Sequence, residues 1–130
     1  MNILSNRSFK IWAYTVSHST LILRSEIKFE DEEGWSENTS FNIDIEFFAV
    51  AYIDIPHFLP NITLHEVVIN IPDRFQHYKE RLGYKVFEIK SSDNVYFIVA
   101  GGYVIGKSSW ISEDRIINMQ LKYDEILATS

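Results

Sequence analysis

The sequence predicts a mainly β domain, α+β in class: a curled, largely antiparallel sheet or partly open barrel of about eight strands, with one short helix near residues 73–82. Three observations lead there. Residues 41–56, FNIDIEFFAVAYIDIP, place Phe41, Ile43, Ile45, Phe47, Ala49, Ala51, Ile53 and Ile55 on every second position, the period of a strand with one buried face. Aromatic residues make up 15% of the chain, an enrichment that favours strands. Most links between apolar runs are too short for parallel crossovers, so neighbouring strands should be antiparallel.

The long stretch is one-sided at first, with Asn42, Asp44 and Glu46 between the apolar positions. From Phe48 through Val50 and Tyr52 its second face turns apolar too, which suits the middle of a sheet curling over its own core. Before it, residues 8–16 read as a first strand, with Trp12, Tyr14 and Val16 on one face and Phe9, Ile11 and Ala13 on the other. After the break Ser17-His18-Ser19, a second strand reaches about Phe29, with Leu21, Leu23, Ile27 and Phe29 inward and Arg24, Glu26 and Lys28 outward. If these two long segments are neighbours, Arg24 and Lys28 face Glu46 and Asp44 as exposed cross-strand pairs, each worth up to roughly 1 kcal/mol.

Pro56 and Pro60 end the long strand around His57-Phe58-Leu59, because proline cannot donate to a ladder. Residues 61–71 form a further strand candidate. The helix follows: Pro72-Asp73 supply its start, Phe75, Tyr78 and Leu82 an apolar stripe, and Gly83 a left-handed cap. Three short strands are expected over residues 84–90, 95–100 and 103–107. Ser92-Asp93-Asn94 and Gly101-Gly102 serve as turns between them, or the two glycines mark a bulge in one bent strand. Near the C-terminus, Ser112-Glu113-Asp114 looks like a helix start, whereas Ile117, Met119, Leu121 and Tyr123 alternate as in a strand; residues 115–123 are read as strand, with helix as the alternative.

At 130 residues, without repeats or a Pro/Gly/Ser-rich linker, residues 1–130 are expected to be a single domain. There is no cysteine, hence no disulfide, zinc–thiolate or thiol nucleophile. The N-terminus lacks the pattern of a signal peptide and no apolar run approaches a membrane span, so a cytoplasmic location and no membrane partner are expected.

The net charge of −6 is local. Residues 26–46 hold eight acids against Lys28 alone, a net −7, which leaves the remainder near +1. A phosphate backbone requires the opposite sign, so nucleic acid is disfavoured as a partner. The expected contact surface is Glu30, Asp31, Glu32, Glu33, Glu37, Asp44 and Glu46, offered to a basic protein partner by a small immunity- or antidote-like protein. The competing reading is a solvated loop that keeps the sheet from aggregating.

An enzyme is the less favoured alternative. Asp54, among Tyr52, Ile53 and Ile55 with His57 three residues on, is the weak catalytic candidate: a carboxylate in apolar surroundings has a raised pKa and can act as a general acid. An Asp before Ile-Pro more often accepts backbone hydrogen bonds where a strand ends. Asp44 and Glu46, about 7 Å apart on one strand face, have the separation of paired carboxylates, but a solvated face explains them more simply. His18, His57, His65 and His77 have no metal-ligand spacing, residues 30–33 lack the alternation of a calcium loop, and no phosphate-binding glycine motif is present. No metal or cofactor is expected. A third alternative makes the exposed aromatics the seam of a homo-oligomer.

The runs Val16-Ser17-His18-Ser19, LILRS over residues 21–25, Asn42-Ile43-Asp44-Ile45 and Tyr52-Ile53-Asp54-Ile55-Pro56 resemble a group of short bacterial proteins of unassigned function. The resemblance covers the first half of the chain. It implies a bacterial origin and a free-standing small protein, and supplies no activity or site.

Overall fold

The long alternating stretch does not stay in one plane. Its first half, Asn42–Phe48, is a strand; Ala49 then takes a left-handed backbone (φ 51°), and Tyr52–Asp54 resumes as a strand of a different sheet. The computed structural model describes Leu4, residues 7–109 and residues 123–130. In chain order the strands are β1 (Phe9–Thr15), β2 (Thr20–Ser25), β3 (Asn42–Phe48), β4 (Tyr52–Asp54), β5 (Phe58–Leu59), β6 (Ile62–Val67), β7 (Lys85–Ser91), β8 (Asn94–Ala100), β9 (Gly102–Ser108) and β10 (Glu125–Thr129). The α-helix, α1, spans Gln76–Leu82. Two antiparallel sheets result, ordered β10-β9-β3-β2-β1-β5 and β4-β8-β7-β6, and neither closes into a barrel.

The corner at Ala49 is made jointly by two strands. Gly101 separates β8 from β9, and its N–H donates to the carbonyls of Phe48 (2.9 Å) and Ala49 (3.2 Å). A Cβ at Gly101 would stand 3.0 Å from the Ala49 methyl, a contact that only a small shift of the neighbour would relieve, so the corner is tightly packed. On one side of this corner β3 pairs with β9, from Asn42↔Ser108 to Phe48↔Gly102; on the other, β4 pairs with β8. One long ribbon is thus bent over itself, and strands that change sheets at a bend are a standard way to close a two-layered core. The expected curl is present, and the two glycines belong to a bent strand rather than a hairpin turn.

Between the layers lie Leu21, Leu23, Ile43, Ile45, Phe47 and Ile105 from the first sheet, and Ile62, Leu64, Phe87, Ile89 and Ile98 from the second. Phe47 is fully buried, with the rings of Phe87 and Tyr103 at 5.7 and 6.0 Å. On the far face of the second sheet, Val67, Val86 and Val99 pack with Phe75, Tyr52 and Tyr78, and so seat the helix. A 3-10 turn, Asp73–Phe75, begins the helix, and Gly83 caps it with φ 72°, as the sequence predicts. Leu82 does not join the stripe: in a helix of two turns it lies past the sheet contact and is 61% exposed.

Several elements differ from expectation, among them the strand expected over residues 61–71, which ends at Val67 and leaves Val68 and Ile69 exposed. A bulge between Ile11 and Ala13 breaks the alternation of β1, so Ala13 pairs with Ile22 on the outer face instead of following Ile11 inward. β2 stops at Ser25 rather than Phe29, because the Ile27 and Lys28 N–H groups turn to Asn42 Oδ1 (2.7 Å) and the Thr39 carbonyl (2.8 Å). Phe29 is consequently exposed instead of inward. β10 is an added strand that the alternation of the sequence did not single out. The expected strand over 115–123 lies outside the described residues except at Tyr123.

A candidate binding surface beside a charged cleft

Two separate polar regions grow from the first sheet. One is its outer face. Arg24 stands directly opposite Asp44 in the β2–β3 register. Glu46, expected to face Arg24, pairs with Ile22, Lys28 lies beyond the end of β2, and the Arg24–Asp44 pair is not exposed. Arg24 is 3% and Asp44 0% accessible, and the guanidinium donates through Nε (2.6 Å) and Nη2 (2.7 Å) to the two carboxylate oxygens. The Trp12 ring stacks over it at 4.7 Å. Paired, bidentate hydrogen bonding is what makes a buried charge tolerable. Asn42, also expected in solvent, is 2% accessible; it accepts from the Ile27 N–H and donates to Ser108 Oγ (3.2 Å).

This face is covered because β9 opposite it carries small residues. Gly106 pairs with Asp44, and the Tyr123 ring lies so close that a Cβ on Gly106 would overlap it at 2.2 Å. Tyr123 then donates its hydroxyl to Glu46 Oε2 at 3.0 Å. Burial pushes the Glu46 pKa up, and the charge of Asp44 adds to the effect, while the Tyr123 hydrogen bond opposes it. Burial also raises the Tyr123 phenol, helped by the two nearby carboxylates.

A carboxyl whose folded pKa lies above its unfolded one contributes most stability at low pH and loses it as pH climbs through the folded value. Glu46→Gln keeps an acceptor for Tyr123 and removes that titration. Melting temperatures measured from pH 4 to pH 8 should therefore show the variant gaining on the wild-type protein as pH rises. Parallel curves would mean that Glu46 is not desolvated.

The second region is the connection between β2 and β3. Glu30, Asp31, Glu32, Glu33 and Glu37 are all exposed on it. Of the seven acids expected to build one surface, these five remain together. Asp44 is withdrawn as the partner of Arg24, and Glu46 is half-buried under Tyr123, both on the outer sheet face.

The connection is held by its own hydrogen bonds and by the sheet. Glu32 accepts from the Phe29 N–H (2.9 Å) and its own N–H returns to the Phe29 carbonyl (2.9 Å). Ser36 N–H donates to Thr39 Oγ1 (2.8 Å), as in a capping box around the 3-10 turn Glu37–Thr39, and the Thr39 N–H closes the turn on the Ser36 carbonyl (3.0 Å). Arg7 anchors the far end: Nη2 donates to the carbonyls of Asn38 (2.6 Å) and Phe41 (3.1 Å), and Nη1 to Ser25 Oγ (3.1 Å). Phe29 and Trp35 stand exposed among the acids.

No protein-family model, curated protein or solved structure matches this chain.

Asp54 and His57 are not brought into a catalytic arrangement. Asp54 is exposed at the end of β4 with Arg74 at 3.7 Å, a solvated ion pair in place of the apolar surroundings expected. His57 is exposed on the following loop, where its carbonyl accepts from the Ile11 N–H (2.9 Å), and no hydrogen bond or ion pair joins it to Asp54. Among the described residues no group of three or more His, Asp or Glu side chains is arranged to hold a metal ion, and no helix is long and apolar enough to cross a membrane. Arg7 is the residue that sequence reasoning missed. It precedes the first strand and has no periodic pattern; its role depends on residues 18, 31 and 34 positions away.

Proposed function

We propose that this chain is a binding protein that presents the acidic connection, residues 30–37, to a basic protein partner. The observation that carries the reading is the combination on one anchored segment: five exposed carboxylates with Phe29 and Trp35 exposed between them. Like charge crowded together opposes compaction, so its concentration on a connection the chain takes care to fix is best explained by a partner of opposite sign. Acids of this kind steer encounter and select the partner, while a half-exposed tryptophan supplies apolar contact of the sort that dominates interface energies. A partner of this chemistry is a basic toxin or nuclease whose groove the acids would cover, which makes the protein antidote-like.

The test compares the wild-type protein with a variant carrying Glu30→Gln, Asp31→Asn, Glu32→Gln, Glu33→Gln and Glu37→Gln as baits in the source cell. Glutamine at position 32 keeps an acceptor for Phe29. A basic protein captured by the wild type should associate at least tenfold more slowly with the variant in low salt, and the difference should shrink as salt is raised. Equal association with both baits at low and high salt contradicts the reading.

A further inference from the structure

A second surface lies beside the acidic connection and differs from it in charge. β1 and β2 are paired only as far as Lys10↔Arg24; beyond that they part, and a cleft of about 680 Å³ opens between residues 7–10 and 24–29. Arg7, Lys10 and Lys28 line it, Phe9 lies beneath, and Phe58 and Phe29 stand half-exposed at its rim.

The charges inside are unequally satisfied. Arg24, which also borders the cleft, is matched by Asp44, and Lys10 pairs with Glu26. Among the described residues Lys28 Nζ donates to the Glu33 carbonyl alone, at 3.3 Å. Arg7 is the anomaly. It is 6% accessible, yet among the described residues its partners are three carbonyls, one hydroxyl and the Phe41 ring at 4.8 Å, all without formal charge, and no carboxylate pairs with it. A buried guanidinium normally has a counter-charge, because desolvating it alone is costly. That cost shows in the Arg7 pKa, pulled down to about 10 by burial. Even so it stays cationic near neutrality.

We propose that the cleft between β1 and β2 binds a small carboxylate with an apolar body, the carboxylate meeting Arg7 and Lys28 and the apolar body lying against Phe58 and Phe29. A carboxylate supplies the missing counter-charge, and the rim rings give the body a surface to cover. The remaining acid of the lining, Glu32, is turned to the Phe29 N–H, which reduces its opposition to an incoming anion. A site of mixed apolar rim and few fixed polar groups is the usual form of a small-molecule pocket.

The experiment titrates the whole ¹⁵N-labelled chain with 3-phenylpropanoate, and in parallel with phenethylamine, which has the same ring but the opposite charge. Saturable shifts are expected for the amides of residues 8–10 and 25–29 with the carboxylate, and binding about tenfold weaker or worse with the amine, the scale of losing a charge-assisted hydrogen bond. Arg7→Gln should abolish the effect but also loosens the connection, so Lys28→Gln is the cleaner variant: an unchanged spectrum with severalfold weaker carboxylate binding supports the assignment. No saturable shift with the carboxylate up to about 10 mM, equal binding of the two probes, or full affinity in Lys28→Gln overturns it. None of these outcomes bears on whether residues 30–37 contact a basic partner.

Discussion

Asp44→Ala should destabilise the protein by about 3–5 kcal/mol, because it leaves the guanidinium of Arg24 buried without its carboxylate. Arg24 is 3% accessible beneath Trp12 and between strands, so water cannot readily replace the lost partner. The loss should appear as a fall in the denaturant midpoint at unchanged slope. Removing both charges together, as Arg24→Met with Asp44→Leu, should recover most of it, since a buried pair is often replaceable by apolar groups of similar volume. A single variant within about 1 kcal/mol of wild type would mean that the outer face of the first sheet is open to solvent. That would restore Asp44 to the exposed acids, where the sequence alone had placed it.

Phe47→Ala should cost about 3–5 kcal/mol, a large part of the stability of a domain this size. Phe47 is fully buried where the two sheets are joined, against Phe87 of the second and Tyr103 of the first. Its removal opens a cavity next to the corner at Ala49 and Gly101, where backbone contacts leave little room to relax. Phe47→Leu, which retains most of the volume, should lose much less. A melting temperature for the alanine variant within a degree or two of wild type would show that the inward face of β3 has been misassigned.

The alternation in residues 41–48 and 21–23 was enough to place Ile43, Ile45, Phe47, Leu21 and Leu23 in the core, because a strand's two-residue period divides its faces without reference to anything distant. The same period says which residues share a face but not whether the second face is covered. Arg24, Asn42 and Asp44 therefore read as solvated, and all three are buried. The legible clue was on β9, where Gly102, Gly106 and Ser108 alternate on the side facing Phe48, Asp44 and Asn42. Small residues at three of the four places on this face, with Val104 opposite Glu46 as the fourth, leave room for a covering group, and Tyr123 takes it over Gly106.

The corner at Ala49 was legible only as the point where the second face turned apolar; the φ of 51° there depends on Gly101, fifty-two positions later. The acidic connection was visible from composition, since clustered charge needs no tertiary information. What fixes it was not, because Arg7, Ser25, Asn38 and Phe41 meet only after the sheet has formed.

The reading of this chain as a binding protein rests on residues 30–40 forming a fixed surface rather than a solvated tether. Backbone ¹⁵N order parameters test that without knowledge of the partner. Hydrogen bonds from Arg7 to Asn38 and Phe41, from Lys28 to Thr39, and within the capping box should hold values across residues 29–39 near the roughly 0.85 of rigid backbone, close to those of β2 and β3. Arg7→Gln should lower them around Asn38 first. Values below about 0.6 throughout the connection in the wild-type protein would contradict the account, since a segment that mobile offers its five carboxylates in no particular arrangement.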